Sequence, residues 1–358
     1  MALNADALFE DCARSLKSTG VSRLDKLRGS TLLIAGGSGF VGLWLSTMAA
    51  YLNDAHGFRI NIVGTARRRS RVAEQAAFLL ARKDYEFRQA DVRQLAELPY
   101  DVQWIVNAAG SPDSRQHATD PISTMSVFAD GTDHILRLAE QAADLKAILH
   151  FSSSAVYGEE GDRSTSLSEN AISLDATSAY AEAKRFGEVL CAAFRTQARL
   201  PIIITRPFTF VGPFQPLDAP WAINHFLHAA LEGQPLKVQG AGDSVRALLY
   251  GSDMAALVLH QLVGGKSGTV FNLGGTSAHS LREIAELVVA RSGRQLEIRY
   301  NTAGRPLPFS RLVPDMSASE SEFSFKPAFS TIDAVSRTLQ WYSGKRGRPE
   351  GGYLNAAH

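Results

Sequence analysis

Short runs of apolar and β-branched residues alternate along this chain with longer stretches whose apolar positions recur every three to four residues. The short runs are TLLIA (31–35), INIVGTA (60–66), YEFRQA (85–90), QWIVNAA (103–109), AILHFSS (147–153) and PIIITR (201–206). Between them FVGLWLSTMAAYL, the 119–143 segment and SAYAEAKRFGEVLCAAFRTQ carry helical periodicity. Such alternation predicts a parallel sheet covered by helices. Residues 3–28 read as an amphipathic helical preface to it. Beyond Arg206 the style changes: Pro, Gly and aromatic residues become common, and shorter elements follow, such as PWAINHFLHAALEG and SLREIAELVVARSG. These predict a smaller lobe, with GTVFNLGG (268–275) returning to the main sheet as a further strand. The polar, Gly-rich end GKRGRPEGGYLNAAH reads as a flexible tail.

Composition narrows the setting. With 358 residues, 45% hydrophobic and 20% charged, the chain suits one large globular domain with a lobe, or two domains. The 37 Lys+Arg nearly balance 36 Asp+Glu, so no general attraction to nucleic acid or membrane is expected. Any anionic ligand must then be held by a few placed groups. Cys12 and Cys191 offer neither a disulfide framework nor a paired metal-binding spacing. His225 and His228 lack companion ligands, and no metal is expected. The opening MALNADALFEDCARS lacks the order of a signal peptide, and no apolar run nears the roughly 18 residues of a membrane span. A reducing, cytoplasmic location is the resulting expectation.

LLIAGGSGFVG, Leu32 to Gly42, satisfies two glycine fingerprints, one read from Gly37 as G-x-G-x-x-G and one from Gly36 as G-x-x-G-x-x-G. Both describe a strand turning tightly into a helix that offers backbone N–H groups to a pyrophosphate. The strand end at Ala35 and the helix from Phe40 supply that context, so a dinucleotide is expected. At the end of the second strand an acidic residue would receive the ribose hydroxyls of NAD, but Ala66 is followed by Arg67, Arg68 and Arg69. A small residue beside a guanidinium suits a 2′-phosphate, so of the two forms of NAD(P), NADP is favoured over NAD.

Tyr180 and Lys184, four apart, share a helix face. An ammonium beside the phenol is expected to lower its pKa towards the range where it exchanges protons with a substrate hydroxyl. The serine-rich strand end HFSSSAVYG (150–158) precedes this helix. Glycine loop, serine strand end and Tyr-Lys helix in this order resemble the extended short-chain dehydrogenase/reductase family, the nucleotide-sugar epimerases and dehydratases. ADVR (90–93), RPFTFVGP (206–213), VRALLYGSD (245–253) and the run from Arg305 to Asp315 extend the resemblance from about Leu27 to Tyr342.

The resemblance implies a Rossmann-type doubly wound parallel sheet with a smaller α/β C-terminal substrate lobe. Residues 1–28 would be a helical extension, 29–206 with about 245–275 the NAD(P)-binding domain, about 207–244 and 276–343 the lobe, and 344–358 the tail. It selects Gly36, Gly39 and Gly42 as the cofactor glycines, leaving Gly37 as a coincidence. Phe40 and Val41 open the helix beneath them; Ala66 and Arg67 face the adenosine ribose. Asp91 and Val92 would sit by the adenine, and Ala108 and Ala109 by the nicotinamide ribose. Tyr180 would be the acid/base and Lys184 would bind the ribose and tune it. Ser153 would hold the substrate oxygen.

Within that family, sugar dehydratases and glucuronate decarboxylases resemble one another in an acid shortly after the catalytic hydroxyl. Here the pair is Ser154 and Ala155, which is most similar to the 4-epimerases. The expected reaction is therefore a nucleotide-sugar 4-epimerisation through a 4-keto intermediate. The alternative is an NADPH-dependent 4-ketosugar reductase; dehydratase, decarboxylase and non-catalytic NADP sensor rank below. Ser154, Thr209, Arg246 and Arg305 are the candidate contacts to a nucleotide-diphosphate sugar. Three positions depart from the family pattern, with Thr209 and Phe128 where it has Asn and Pro308 where it has Asp, and they point to a substrate unlike UDP-glucose. A homodimer through the 119–143 and Tyr-Lys helices is also implied.

Overall fold

The computed structural model describes residues 5–158, 161–162, 176–302 and 309–346. The chain enters through α1 (Ala5–Thr19), which stops where Gly20 adopts a φ of 87°, and continues as a 3-10 segment, Val21–Leu27. It then runs β1 (Thr31–Ala35), α2 (Phe40–His56), β2 (Asn61–Ala66), α3 (Ser70–Leu80), β3 (Tyr85–Gln89) and β4 (Val102–Asn107). The segment read as helical over 119–143 is α5 (Pro121–Ala139), and a short separate helix, α4 (Ser114–Thr119), precedes it. Pro121 opens α5, and the Asp120 side chain accepts the Ser123 N–H at 3.1 Å, a proline start and a cap that close one helix and begin the next. Next come β5 (Ala147–Phe151), the two-residue β6 (Gly161–Asp162), α6 (Ala179–Gln197) and β7 (Ile202–Pro207). The remainder is β8 (Thr209–Val211), α7 (Ala222–Glu232), β9 (Leu236–Gln239), β10 (Val245–Tyr250) and α8 (Gly251–Gly264). It closes with β11 (Val270–Leu273), β12 (Ala278–Ser280), α9 (Leu281–Ser292), β13 (Ile298–Asn301), β14 (Ser310–Leu312), α10 (Ser317–Phe323) and α11 (Thr331–Arg346).

Seven parallel strands form the main sheet in the order β3-β2-β1-β4-β5-β7-β11. β1 and β5 are buried at every position, as strands covered on both faces must be. Strand order reverses between β1 and β4, the switch point where a cleft opens at the carboxyl ends of a doubly wound sheet. QWIVNAA and AILHFSS leave their ladders at Asn107 and Phe151, short of the sequence limits, because their last residues turn into this cleft.

A second sheet, β12-β10-β14-β6 with β8 beside β10, and the pair β13-β9 build the smaller lobe. The chain recrosses between sheets at Tyr250: β10 belongs to the second sheet, whereas α8 packs on α2 and β5. Every residue of α8 from Gly251 to Val263 is buried. A helix apolar on all sides shows no stripe in sequence, and none marks it there. The N-terminal extension is clamped onto α8. Leu8, Cys12 and Leu16 are buried against it, Tyr250 Oη donates to Asp11 Oδ2 at 2.7 Å, and Ser15 Oγ donates to Asp253 Oδ1 at 2.7 Å. Among the described residues no helix is long and apolar enough to cross a membrane. The end of the chain beyond Arg346 lies outside the described residues.

Candidate active site

The glycine loop is shaped first by the protein's own packing. A Cβ on Gly42 would lie 2.4 Å from the Gly36 carbonyl oxygen, and one on Gly37 would lie 2.8 Å from Gly64 Cα of β2. Gly37 is therefore required by the close approach of loop and strand, so the double fingerprint has a steric cause and is no coincidence. Gly39 differs, since its Cβ would meet nothing nearer than the Gly36 oxygen at 3.3 Å. It caps α2 without a side chain and lines the cleft, where the first-turn N–H groups of Phe40 and Val41 have no acceptor within the helix. A bare helix N-terminus in a cradle closed to side chains fits a pyrophosphate, and the loop passes this test for a dinucleotide.

A cavity of about 1040 Å³ runs from this loop across the switch point to the lobe. At one end stand Ala66, Arg67, Asp91 and Val92, and the half-buried Arg71 also lines the cavity, near Arg68, Glu74, Asp218 and Tyr342. Asp91 accepts from Arg93 at 2.8 and 3.0 Å, and that hydrogen bonding holds its carboxyl down to about 2. Ala108 and Ala109 line the middle, and Ser153, Ser154, Tyr180 and Lys184 the far wall. Thr209 and Arg246 face the same space from the lobe, with Phe208, Phe210 and Trp221. Arg246 is braced there, donating to Ser310 Oγ at 2.9 Å and to the Ser310 carbonyl at 3.1 Å. Gly42 lies behind the loop and does not line the cavity; Arg305 and Pro308 are outside the described residues. His225 and His228 are exposed on α7.

Helical spacing on α6 sets Tyr180, Lys184 and Glu188 in a row. β5 delivers the serines opposite: Ser152 N–H donates to the Thr205 carbonyl at 2.8 Å, and Ser153 Oγ accepts the Ala155 N–H at 3.1 Å. Lys184 Nζ donates to the Phe151 carbonyl at 2.6 Å and lies 4.2 Å from the centre of the Phe128 ring. Burial lowers its pKa to about 7, against the raising effect of Glu188. Tyr180 departs from expectation, because burial raises its pKa and the opposing pull is a hydrogen bond with Ser153. The lysine charge is turned to a backbone carbonyl and an aromatic face, and desolvation of the phenol prevails.

Beneath Lys184 lies His150, 3% exposed. The Asn107 side-chain amide donates to its Nδ1 at 3.4 Å, which leaves Nε2–H without a partner among the described residues. Burial, then the Lys184 charge, lowers its pKa from 6.5 to about 3. The unfolded chain thus takes up a proton near pH 6.5 that the folded chain refuses until about 3, so this residue's contribution is complete above 6.5 and shrinks as pH falls. His150→Leu should therefore flatten the loss of stability between pH 6.5 and 5, its slope differing from the parent's by up to about 1.4 kcal/mol per pH unit. Urea unfolding across that range checks this; parallel slopes would refute it.

Several groups escaped the sequence reading. Glu188 accepts Arg206 Nε at 2.8 Å and Nη2 at 2.6 Å, and also the Ser152 hydroxyl. Arg206 lies 4.8 Å over the Tyr157 ring, and Tyr157 Oη donates to Asn272 Oδ1 at 2.7 Å. Asn272 in turn donates to the Asp315 carbonyl at 3.0 Å, which joins α6 to the lobe. The recurrence Tyr180, Lys184, Glu188 was the available signal for this network. His117, which stacks on Tyr180, had none in the sequence.

The NAD dependent epimerase/dehydratase family matches residues 32–274. UDP-glucuronic acid decarboxylase 1 of Xenopus tropicalis is 26% identical over 316 residues, 87% of this chain and 72% of the relative. The dTDP-glucose 4,6-dehydratase of Streptomyces niveus is 26% identical over 325 residues, 88% of this chain and 93% of the relative. Among solved structures, UDP-glucuronic acid 4-epimerase of Bacillus cereus, in complex with UDP-glucuronic acid and NAD, has a TM-score of 0.75 at 23% identity, covering 88% of this chain and 99% of that one.

Proposed function

Because the chain belongs to the NAD dependent epimerase/dehydratase family and is an enzyme of the extended short-chain dehydrogenase/reductase type, we propose that it is a nucleotide-sugar 4-epimerase. One observation carries this choice among the activities of the family. Ser153 is followed by Ser154 and Ala155, so neither of the two positions after it carries a carboxylate. Of the carboxylates on α6, Glu182 does not line the cavity, and Glu188 is occupied by Arg206 and Ser152. Elimination of water needs a group to manage a carbon-bound proton, and Ser154 and Ala155 supply no acid for it.

In this reading Tyr180 exchanges the proton of the sugar 4-hydroxyl, Ser153 orients that oxygen, and Lys184 holds the ribose of the cofactor. A nicotinamide held by these residues would supply the hydride acceptor and donor for the sugar C4. Arg246 attracts the diphosphate, with Thr209 and Ser154 as polar neighbours of the sugar and nucleotide. Arg67 and Arg68 after Ala66 support NADP as the cofactor, since no acid from the end of β2 competes for the ribose. A homodimer is supported by exposed apolar side chains on the packed pair α5 and α6, namely Ile122, Met125, Phe186 and Val189. The same arginines favour a second reading, an NADPH-dependent 4-ketosugar reductase.

The test is incubation with UDP-, GDP-, CDP- and dTDP-sugars and their 4-keto derivatives, with and without NADPH. Products are identified by NMR, and the cofactor released on denaturation is assayed. Epimers formed without net cofactor consumption are expected. Stoichiometric loss of NADPH would establish the reductase instead, and loss of water or carbon dioxide would refute both.

A further inference from the structure

Tyr180 is gripped by two rings that lie far from it along the chain. His117 of α4 lies flat against it, centroids 4.2 Å apart and planes 9° apart, and Phe128 of α5 meets it edge-on at 5.2 Å and 76°. His117 is buried at 7% exposure, and its Nε2 is bonded to the Ser111 carbonyl at 2.7 Å. A carbonyl only accepts, so Nε2 carries the proton and the tautomer is settled. Phe128 fills the space over Gly110, where a Cβ would come within 2.0 Å of its ring. The cleft-lining loop 110–113, α4 and α5 are thereby assembled around the phenol.

We propose that His117 is a positioning residue that acts through Tyr180: the flat face of its ring clamps the phenol against Phe128, and the ring takes no proton itself. Three features support this. The stack is nearly parallel, as an orienting contact requires, whereas a proton transfer would need an edge nitrogen aimed at the phenol oxygen. The nitrogen that bears the proton is already committed to Ser111. Burial disfavours a second proton on the ring and outweighs the opposing pull of the Ser111 carbonyl and Asp113, with the Lys184 charge adding a smaller effect in the same direction as burial. A reacting oxygen displaced by about 1 Å can lose on the order of a hundredfold in rate, so restraint of this ring has a kinetic consequence.

The proposal rests on Tyr180 being the acid/base, and the experiment separates the two ideas. His117→Leu, which keeps volume but not a flat face, and His117→Phe, which keeps the face but no nitrogen, are compared with the parent as full chains. The first readout needs no substrate: ring carbon NMR of labelled tyrosine, with the Tyr180 signals assigned by their loss in Tyr180→Phe. The parent and His117→Phe should show a restrained ring, and His117→Leu an averaged one with an altered phenol titration. In turnover, His117→Leu should lose about ten- to a hundredfold in kcat with little change in KM. His117→Phe should stay within about fivefold of the parent with an unchanged pH profile. Unaltered Tyr180 signals in His117→Leu would overturn the clamp, as would a His117→Phe variant as impaired as His117→Leu. A parent that turned over no nucleotide sugar would defeat the functional reading, while the NMR comparison would still decide the clamp.

Discussion

Tyr180→Phe is expected to lower sugar turnover by about 10²- to 10⁴-fold, the range a positioned acid/base contributes. The substitution removes one oxygen and leaves the ring, so the stack on His117 at 4.2 Å and the edge contact with Phe128 at 5.2 Å persist. Lys184 keeps its 2.6 Å bond to the Phe151 carbonyl. Thermal unfolding should accordingly move little, which separates loss of chemistry from loss of structure. Steady-state turnover beside a melting curve is the measurement, and retained turnover would remove Tyr180 from its role. Burial raises the phenol's pKa, so the unliganded enzyme holds it protonated at neutral pH, ready to donate to a 4-keto oxygen.

The largest expected effect on stability lies eight residues further along the same helix. Glu188 and Arg206 side chains are only 14% and 12% exposed and meet through two N–H to oxygen bonds. Arg206→Met would leave a carboxylate in that setting with only Ser152 to hold it, and should cost about 3–5 kcal/mol. Removing both charges, as Glu188→Gln with Arg206→Met, should recover most of that loss, because the penalty is an uncompensated charge and not the missing attraction. Urea unfolding of the parent, single and double variants measures both quantities. A double variant no more stable than the single one would show that Arg206 acts through its packing on Tyr157 instead.

The core strands of the main sheet could be read from the sequence almost residue by residue. TLLIA is β1 itself, and PIIITR differs from β7 by one residue at each end. Continuous apolar runs of that length have few other stable fates in a chain of alternating helices. Helix limits were less legible: the break between α4 and α5 depends on Asp120 capping a helix opened by Pro121, a local signal masked by periodicity on both sides. α8, buried on every face from Gly251 to Val263, has no polar side to betray its period. In the site, the Tyr180-Lys184 spacing and the glycine loop were visible because each is a local geometric requirement. The raised phenol pKa was not, since spacing records which residues are near in the chain but not how much water surrounds them.

The sequence by itself thus determined the strands and helices of a parallel sheet, the glycine-rich turn and the helix face that carries Tyr180 and Lys184, all features set by patterns within a few residues. Only the tertiary structure decided what surrounds them. It placed His117 on Tyr180 from 63 residues away in the chain and Phe128 against Lys184 Nζ at 4.2 Å, and it closed Glu188 onto Arg206 across two elements. Burial and long-range contact set the proton affinities of this site, and both are properties of the packed chain, with no counterpart in the order of its residues.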